Sequence, residues 1–162
     1  MGTTTKGNTD GSGLRIGIVV SRFNHSITDG LLRGAMRALI ASDVSESDIA
    51  VTEVPGAFEI PLALDLMALS EEYDALIALG CVIKGETAHF EYISDAAMKG
   101  IARASSEFLL PIACGVLTCY TEDQAIARSG DNEENKGAEA ALSAIEMANL
   151  SLLLEERISL SE

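Results

Sequence analysis

The chain has no tryptophan, and aromatic residues make up only 4% of it. Two histidines, three cysteines and three prolines are also scarce. Cys81, Cys114 and Cys119 are odd in number, sit in apolar runs and form no C-x-x-C, which argues against a disulfide framework and against a zinc site. His25 and His89 are too far apart to add to a metal case. Positive charge is short too: 11 Lys and Arg against 25 Asp and Glu leave a net charge of −14. The deficit is even, −6 over residues 1–80 and −8 over 81–162, so the surface is acidic throughout. Such a balance argues against nucleic acid or an anionic membrane as partner. No uninterrupted apolar run approaches the roughly 20 residues of a membrane span. The first 13 residues lack the apolar stretch of a signal peptide, and Lys6 stands where a myristoylation motif needs Ser or Thr. The expected compartment is cytoplasmic.

What remains is ordinary globular material. Hydrophobic residues make up 48% and charged residues 22% of 162. A chain of this length folds as one domain and buries about 70% of its unfolded surface. Residues 1–13 read as a flexible N-terminal arm and 14–162 as a single domain. Arg15–Ser21 is short, β-branched and apolar on both faces, as a buried parallel strand is. Ile27–Ser42 repeats apolar residues at helical spacing, with Asp29 in its first turn. Ile49–Val54 reads as a strand, and Ala57–Leu69 as a helix that begins near Phe58 so that Pro61 falls in its first turn. Ala75–Lys84 is the most apolar strand and therefore central. A helix follows Thr87 and ends near Phe108, before Pro111. Ile112–Cys119 is a fourth strand. A short helix over Thr121–Arg128 and a long one over Asn135–Glu156 close the chain. Strands alternating with helices predict a three-layer α/β/α sandwich on a four-stranded parallel sheet. Ligands of such folds sit beyond the carboxyl ends of strands.

The loops at those ends carry the chemistry. No G-x-G-x-x-G or G-x-x-x-x-G-K-[ST] occurs, which excludes the dinucleotide and P-loop readings. Phe23, in the polar loop Ser21–Ser26, is either a hydrophobic staple on the next helix or a platform for a flat ring. Glu59 follows Pro55-Gly56-Ala57-Phe58; it is either a helix-dipole carboxylate or an acceptor for substrate hydroxyls. Gly85, Glu86 and Thr87 lead from the central strand into a helix, and their N–H groups can form an anion nest that fits a phosphate. His89 stands beside that nest. The helix start disfavours imidazolium and a bound phosphate favours it, so the ring can relay protons near neutral pH. Arg128 and Lys136 are either a phosphate fork and its companion or surface ion-pair partners. The three cysteines read as small buried apolar residues.

Six motifs in order then resemble the lumazine synthase family: Arg22-Phe23-Asn24, Pro55–Pro61, Gly80–Glu91, Gly115–Thr118, Glu122–Ala125 and Asn135–Ala141. The resemblance covers nearly the whole chain from Arg15. It implies a flavodoxin-like strand order. It also implies condensation of 5-amino-6-(D-ribitylamino)uracil with 3,4-dihydroxy-2-butanone 4-phosphate to 6,7-dimethyl-8-ribityllumazine, with phosphate and water released. No metal or organic cofactor is implied. The assembly implied is a homopentamer, with further assembly to a sixty-subunit shell in some members and riboflavin synthase as a candidate partner. By motif, Phe23 stacks on the pyrimidine, and Ala57, Phe58 and Glu59 hold the ribityl chain. Cys81, Val82 and Ile83 line the pyrimidine pocket. Glu86 and Thr87 give backbone donors to the phosphate, and His89 carries the proton. Arg128 clamps the phosphate from a neighbouring subunit, and Lys136 lies near the substrate. Two positions depart from the pattern. Cys114 stands where the family usually has a Phe wall, and the turn Gly130–Asn135 carries three acids where cage-forming members carry a lysine. The second departure favours a free pentamer. A non-catalytic lumazine or riboflavin carrier, or a shell-forming paralogue, is the competing reading; neither needs both His89 and Arg128.

Overall fold

The structure, a computed structural model, describes residues 2–161; Met1 of the expected arm and Glu162 lie outside it. Four strands form one sheet: β1 (Ile16–Ser21), β2 (Ile49–Val54), β3 (Ala75–Ile83) and β4 (Ile112–Cys119). All neighbours run parallel, in the order β2-β1-β3-β4. β1 is buried along its whole length and β3 over its first seven residues, as apolar two-sided strands must be.

Among the described residues five α-helices cover the sheet: α1 (His25–Ala41), α2 (Ile60–Leu69), α3 (His89–Phe108), α4 (Glu122–Ala127) and α5 (Lys136–Leu160). On one face Leu31, Leu39, Ala141 and Ile145 of α1 and α5 pack against Ile16, Ile18, Ile77 and Leu79. On the other, Ile60 and Leu64 of α2 and Ala97 and Ile101 of α3 pack against Val19, Leu76 and Ala78. The chain leaves β1 for one edge and β3 for the other, with helices on opposite faces. That is the winding right-handed crossovers require. It puts a topological switch between β1 and β3.

α1 and α5 cross at touching distance. A Cβ on Gly137 would strike the carbonyl of Leu31, and one on Gly34 the side chain of Asn135. Asn135 is 1% exposed and fully bonded. Its Oδ1 accepts from the N–H groups of Gly137 (2.9 Å) and Ala138 (3.0 Å), capping α5, and its Nδ2 donates to the carbonyls of Gly30 (3.1 Å) and Gly130 (2.8 Å). α5 is long and apolar enough to cross a membrane by composition alone. Its Ala140, Ala141, Ala144, Ile145 and Ala148 are buried against the sheet and α1, which makes it a core helix.

Several boundaries differ from the sequence expectation. α1 begins at His25, two residues early, so Asp29 is outside its first turn. Ala57–Glu59 form a 3-10 turn, and α2 proper starts at Ile60 with Pro61 in its first turn. α5 continues past Glu156 to Leu160. Part of the expected arm lies on α5: Asn149 Nδ2 donates to the Asn8 carbonyl (3.0 Å), Asn8 Oδ1 (2.9 Å) and the Asp10 carbonyl (2.9 Å). Cys81 and Cys119 are buried, but Cys114 is exposed, which corrects the reading of all three cysteines as core residues. It lies near the start of edge strand β4, where α3 reaches it through Met98 and still leaves it exposed.

Candidate active site

A cavity of about 600 Å³ opens beyond the carboxyl ends of β1, β2 and β3, at the switch point. Nine of the expected residues line it: Phe23, Ala57, Phe58, Glu59, Cys81, Val82, Ile83, Thr87 and His89. Phe23 is 71% exposed, so it is no staple on α1, and the ring-platform alternative remains. Its position comes from the backbone: Arg22 N–H donates to the Val54 carbonyl (2.8 Å) and Phe23 N–H to the Pro55 carbonyl (3.1 Å). Asn24 then turns the chain in the left-handed region, at φ 58 and ψ 47.

Glu59 Oε2 accepts from the Gly56 N–H at 3.0 Å. The capping role and an exposed carboxylate at the cavity wall thus coexist. The loop Lys84–Ala88 also borders the cavity, through Gly85 and Thr87. A Cβ on Gly85 would meet nothing, so the space over the loop is open. The N–H groups of Glu86, Thr87 and Ala88 donate to no protein group among the described residues. They precede α3, whose first residue is His89, with its N–H 3.4 Å from Thr87 Oγ1. Free donors and a helix N-terminus make this loop suited to an anion. The Glu86 side chain is exposed and outside the cavity lining, so only its backbone can serve there.

Cys114, Arg128 and Lys136 lie elsewhere. They line a second cavity, of about 440 Å³, that shares no residue with the first. Arg128 Nη1 donates to the Gln124 carbonyl (2.9 Å) and pairs with no carboxylate among the described residues. Lys136 does pair, with Glu139. Cys114 Sγ donates to Met98 Sδ (3.5 Å), and partial desolvation beside α3 raises its pKa. Phe90 of the first cavity and Tyr120 of the second touch, with ring centroids 6.1 Å apart, and Lys84 Nζ sits 5.6 Å from the Tyr120 centroid.

Sequence reasoning missed Phe90 and Ile93 on the first cavity and Tyr120 and Gln124 on the second. Phe90 and Tyr120 carried a signal, as rare aromatics next to strand ends; Ile93 and Gln124 carried none beyond helical spacing.

Burial pushes the Cys81 thiol up to about 12, with Cys119 adding to the effect. An unfolded chain loses this proton near pH 9, the folded chain only near 12. Above pH 9 the unfolded state therefore binds fewer protons, and stability falls as pH rises from 9 to 12. Thermal melts over that range are expected to drop more steeply for the wild type than for Cys81→Ala.

Fold and cavity together define a parallel α/β sandwich with its cleft at the switch point, lined by an exposed ring and by an anion-ready loop. Within that class the assignment is specific. The family model for 6,7-dimethyl-8-ribityllumazine synthase matches residues 13–151 of the 162, and the chain belongs to that family. It is a family of transferases that make ribityllumazine in riboflavin biosynthesis.

Proposed function

We propose that the protein condenses 5-amino-6-(D-ribitylamino)uracil with 3,4-dihydroxy-2-butanone 4-phosphate. The observation that supports this most is the division of the first cavity. Phe23 and the Cys81–Ile83 wall flank a slot for a flat ring, Ala57–Glu59 offers polar backbone and a carboxylate for a polyol, and the free N–H groups before α3 suit a phosphate. The 5-amino group attacks the ketone and one water leaves, phosphate is eliminated, the enol left behind becomes a ketone, and the ribitylamino nitrogen closes the ring on it with loss of a second water. Each step moves a proton, and His89, on the cavity wall beside the anion loop, carries it. The remainder is positioning of two substrates and stabilisation of departing phosphate by N–H donors and Arg128. The scheme needs no cofactor.

The two separate cavities support a site completed by a second copy, with Cys114, Arg128 and Lys136 of one subunit facing the first cavity of its neighbour. The assembly proposed is a cytoplasmic homopentamer. Of the three acids in the Gly130–Asn135 turn, Asp131 is paired with Arg37 at 2.8 Å, which leaves Glu133 and Glu134 to repel like groups at any higher contact. Light scattering is expected to give a pentamer, and a particle of sixty subunits would reject this reading.

The test is an absorbance assay for lumazine with both substrates, with the phosphate-free ketone as control. Product well above the uncatalysed rate and dependent on phosphate supports the enzyme; background rates with bound ribityllumazine favour a carrier. Cys114→Phe restores an aromatic wall and is expected to lower the KM for the ribitylaminouracil about threefold to tenfold, the worth of one aromatic contact. An unchanged KM removes Cys114 from the site.

A further inference from the structure

Asn24 occupies the N-cap position of α1 without capping it. Its carbonyl accepts the first helical bonds, from Ile27 N–H (3.0 Å) and Thr28 N–H (3.1 Å), but its side chain accepts none. An N-cap Asn ordinarily keeps extended backbone and turns its side-chain oxygen onto the first turn. Here the backbone is left-handed, at φ 58, and the amide points the other way. Asn24 Nδ2 donates to the Cys81 carbonyl at 3.0 Å, across 57 residues of sequence. The helix forgoes its side-chain cap and the backbone takes an unfavourable region for one bond, and that bond ties the Phe23 loop to β3.

The consequence falls on Phe23. Its ring is 71% exposed, so no packing of this chain fixes its place. Two backbone hydrogen bonds, to the carbonyls of Val54 and Pro55, hold the loop from one side, and Asn24 holds it from the other. The Cys81 carbonyl belongs to the wall Cys81–Ile83, which lines the same cavity as Phe23. We infer that Asn24 is a positioning residue that sets the width of the slot between the Phe23 ring and the Cys81–Ile83 wall, and so selects for a flat heterocycle. This rests on the ring-slot role proposed above. Asn is suited to it because it tolerates left-handed backbone better than other non-glycine residues and carries a donor on a short arm.

Asn24→Gly keeps the backbone conformation and loses the donor; Asn24→Asp keeps the shape and puts an acceptor against the carbonyl. In both variants the KM for the ribitylaminouracil is expected to rise about tenfold, with the KM for the butanone phosphate within about twofold of wild type, because only the ring's neighbour moves. Amide hydrogen exchange over Arg22–Ile27, read without substrate, is expected to quicken about tenfold in both, as the loop opens locally. Equal rises in the two KM values, a lowered melting temperature with neither change, or exchange as slow as wild type in both variants each overturn the inference. If the wild type makes no lumazine, the functional reading falls, and exchange alone decides whether Asn24 holds the Phe23 loop.

Discussion

Asn135→Ala is expected to cost about 3–5 kcal/mol of unfolding free energy, the range for breaking a buried, fully used polar network. Four backbone groups lose their partner at once: the N–H groups of Gly137 and Ala138 and the carbonyls of Gly30 and Gly130. Water has little access, because Asn135 is 1% exposed and Gly34 packs directly on its amide. At roughly 2–4 °C per kcal/mol for a domain of this size, the melting temperature should fall by about 6–20 °C. Asn135→Asp separates the two halves of the side chain. It keeps the acceptor that caps α5 but faces two carbonyls with a carboxylate, so it should be destabilised too, and mainly at pH above the carboxylate's own titration. The damage should reach the second cavity, since Lys136 N–H donates to the Arg128 carbonyl (2.9 Å) in the loop that Asn135 clamps. Chemical denaturation of the three proteins measures this. A loss below about 1 kcal/mol for Asn135→Ala would mean that solvent replaces the lost partners.

Asn135 also marks what could be read from the sequence. As the residue before a helical run it was visible as a helix start, but its bonds to Gly30 and Gly130 depend on how α1 and α5 cross, which periodicity does not encode. The same division runs through the fold. Both outer strands, Ile49–Val54 and Ile112–Cys119, fall where the apolar runs put them, because short β-branched runs between turns have few alternatives. Helix starts moved where local chemistry overrode pattern. Left-handed Asn24 lets α1 begin at His25, and the 3-10 turn at Ala57–Glu59 delays α2. In the candidate site, nine residues met in one cavity because three consecutive strand ends converge at the switch point. Cys114 misled because an apolar strand reads as buried, and only the strand order reveals that β4 is an edge. The separation of Arg128 from His89 has the same origin, since the loop after β4 lines the second cavity and not the first.

That separation makes the largest functional effect testable by mixing two inactive proteins. His89→Ala should lower kcat about 100-fold without abolishing turnover, the lower range for loss of a proton carrier while positioning survives. Arg128→Ala should leave the ring slot intact and raise the KM for the butanone phosphate. At low concentration of that substrate both variants are nearly silent. Arg128 is not shared with the cavity that His89 lines, and no carboxylate of the described chain occupies it. If the neighbour supplies Arg128, a mixed ring holds some junctions where a subunit with intact His89 meets one with intact Arg128. In a heterologous ring assembled at random from equal amounts, about one junction in four is complete. Co-expressed variants should therefore recover about a quarter of wild-type activity per site, far above the sum of the two alone. The double variant His89→Ala/Arg128→Ala mixed with wild type supplies the control, since it too should leave about one junction in four complete. Recovery in the control but none in the mixture of single variants would mean that both residues serve the same subunit's site. The Arg128 loop would then have to swing past Tyr120 to reach the phosphate, and the two-copy site would be rejected.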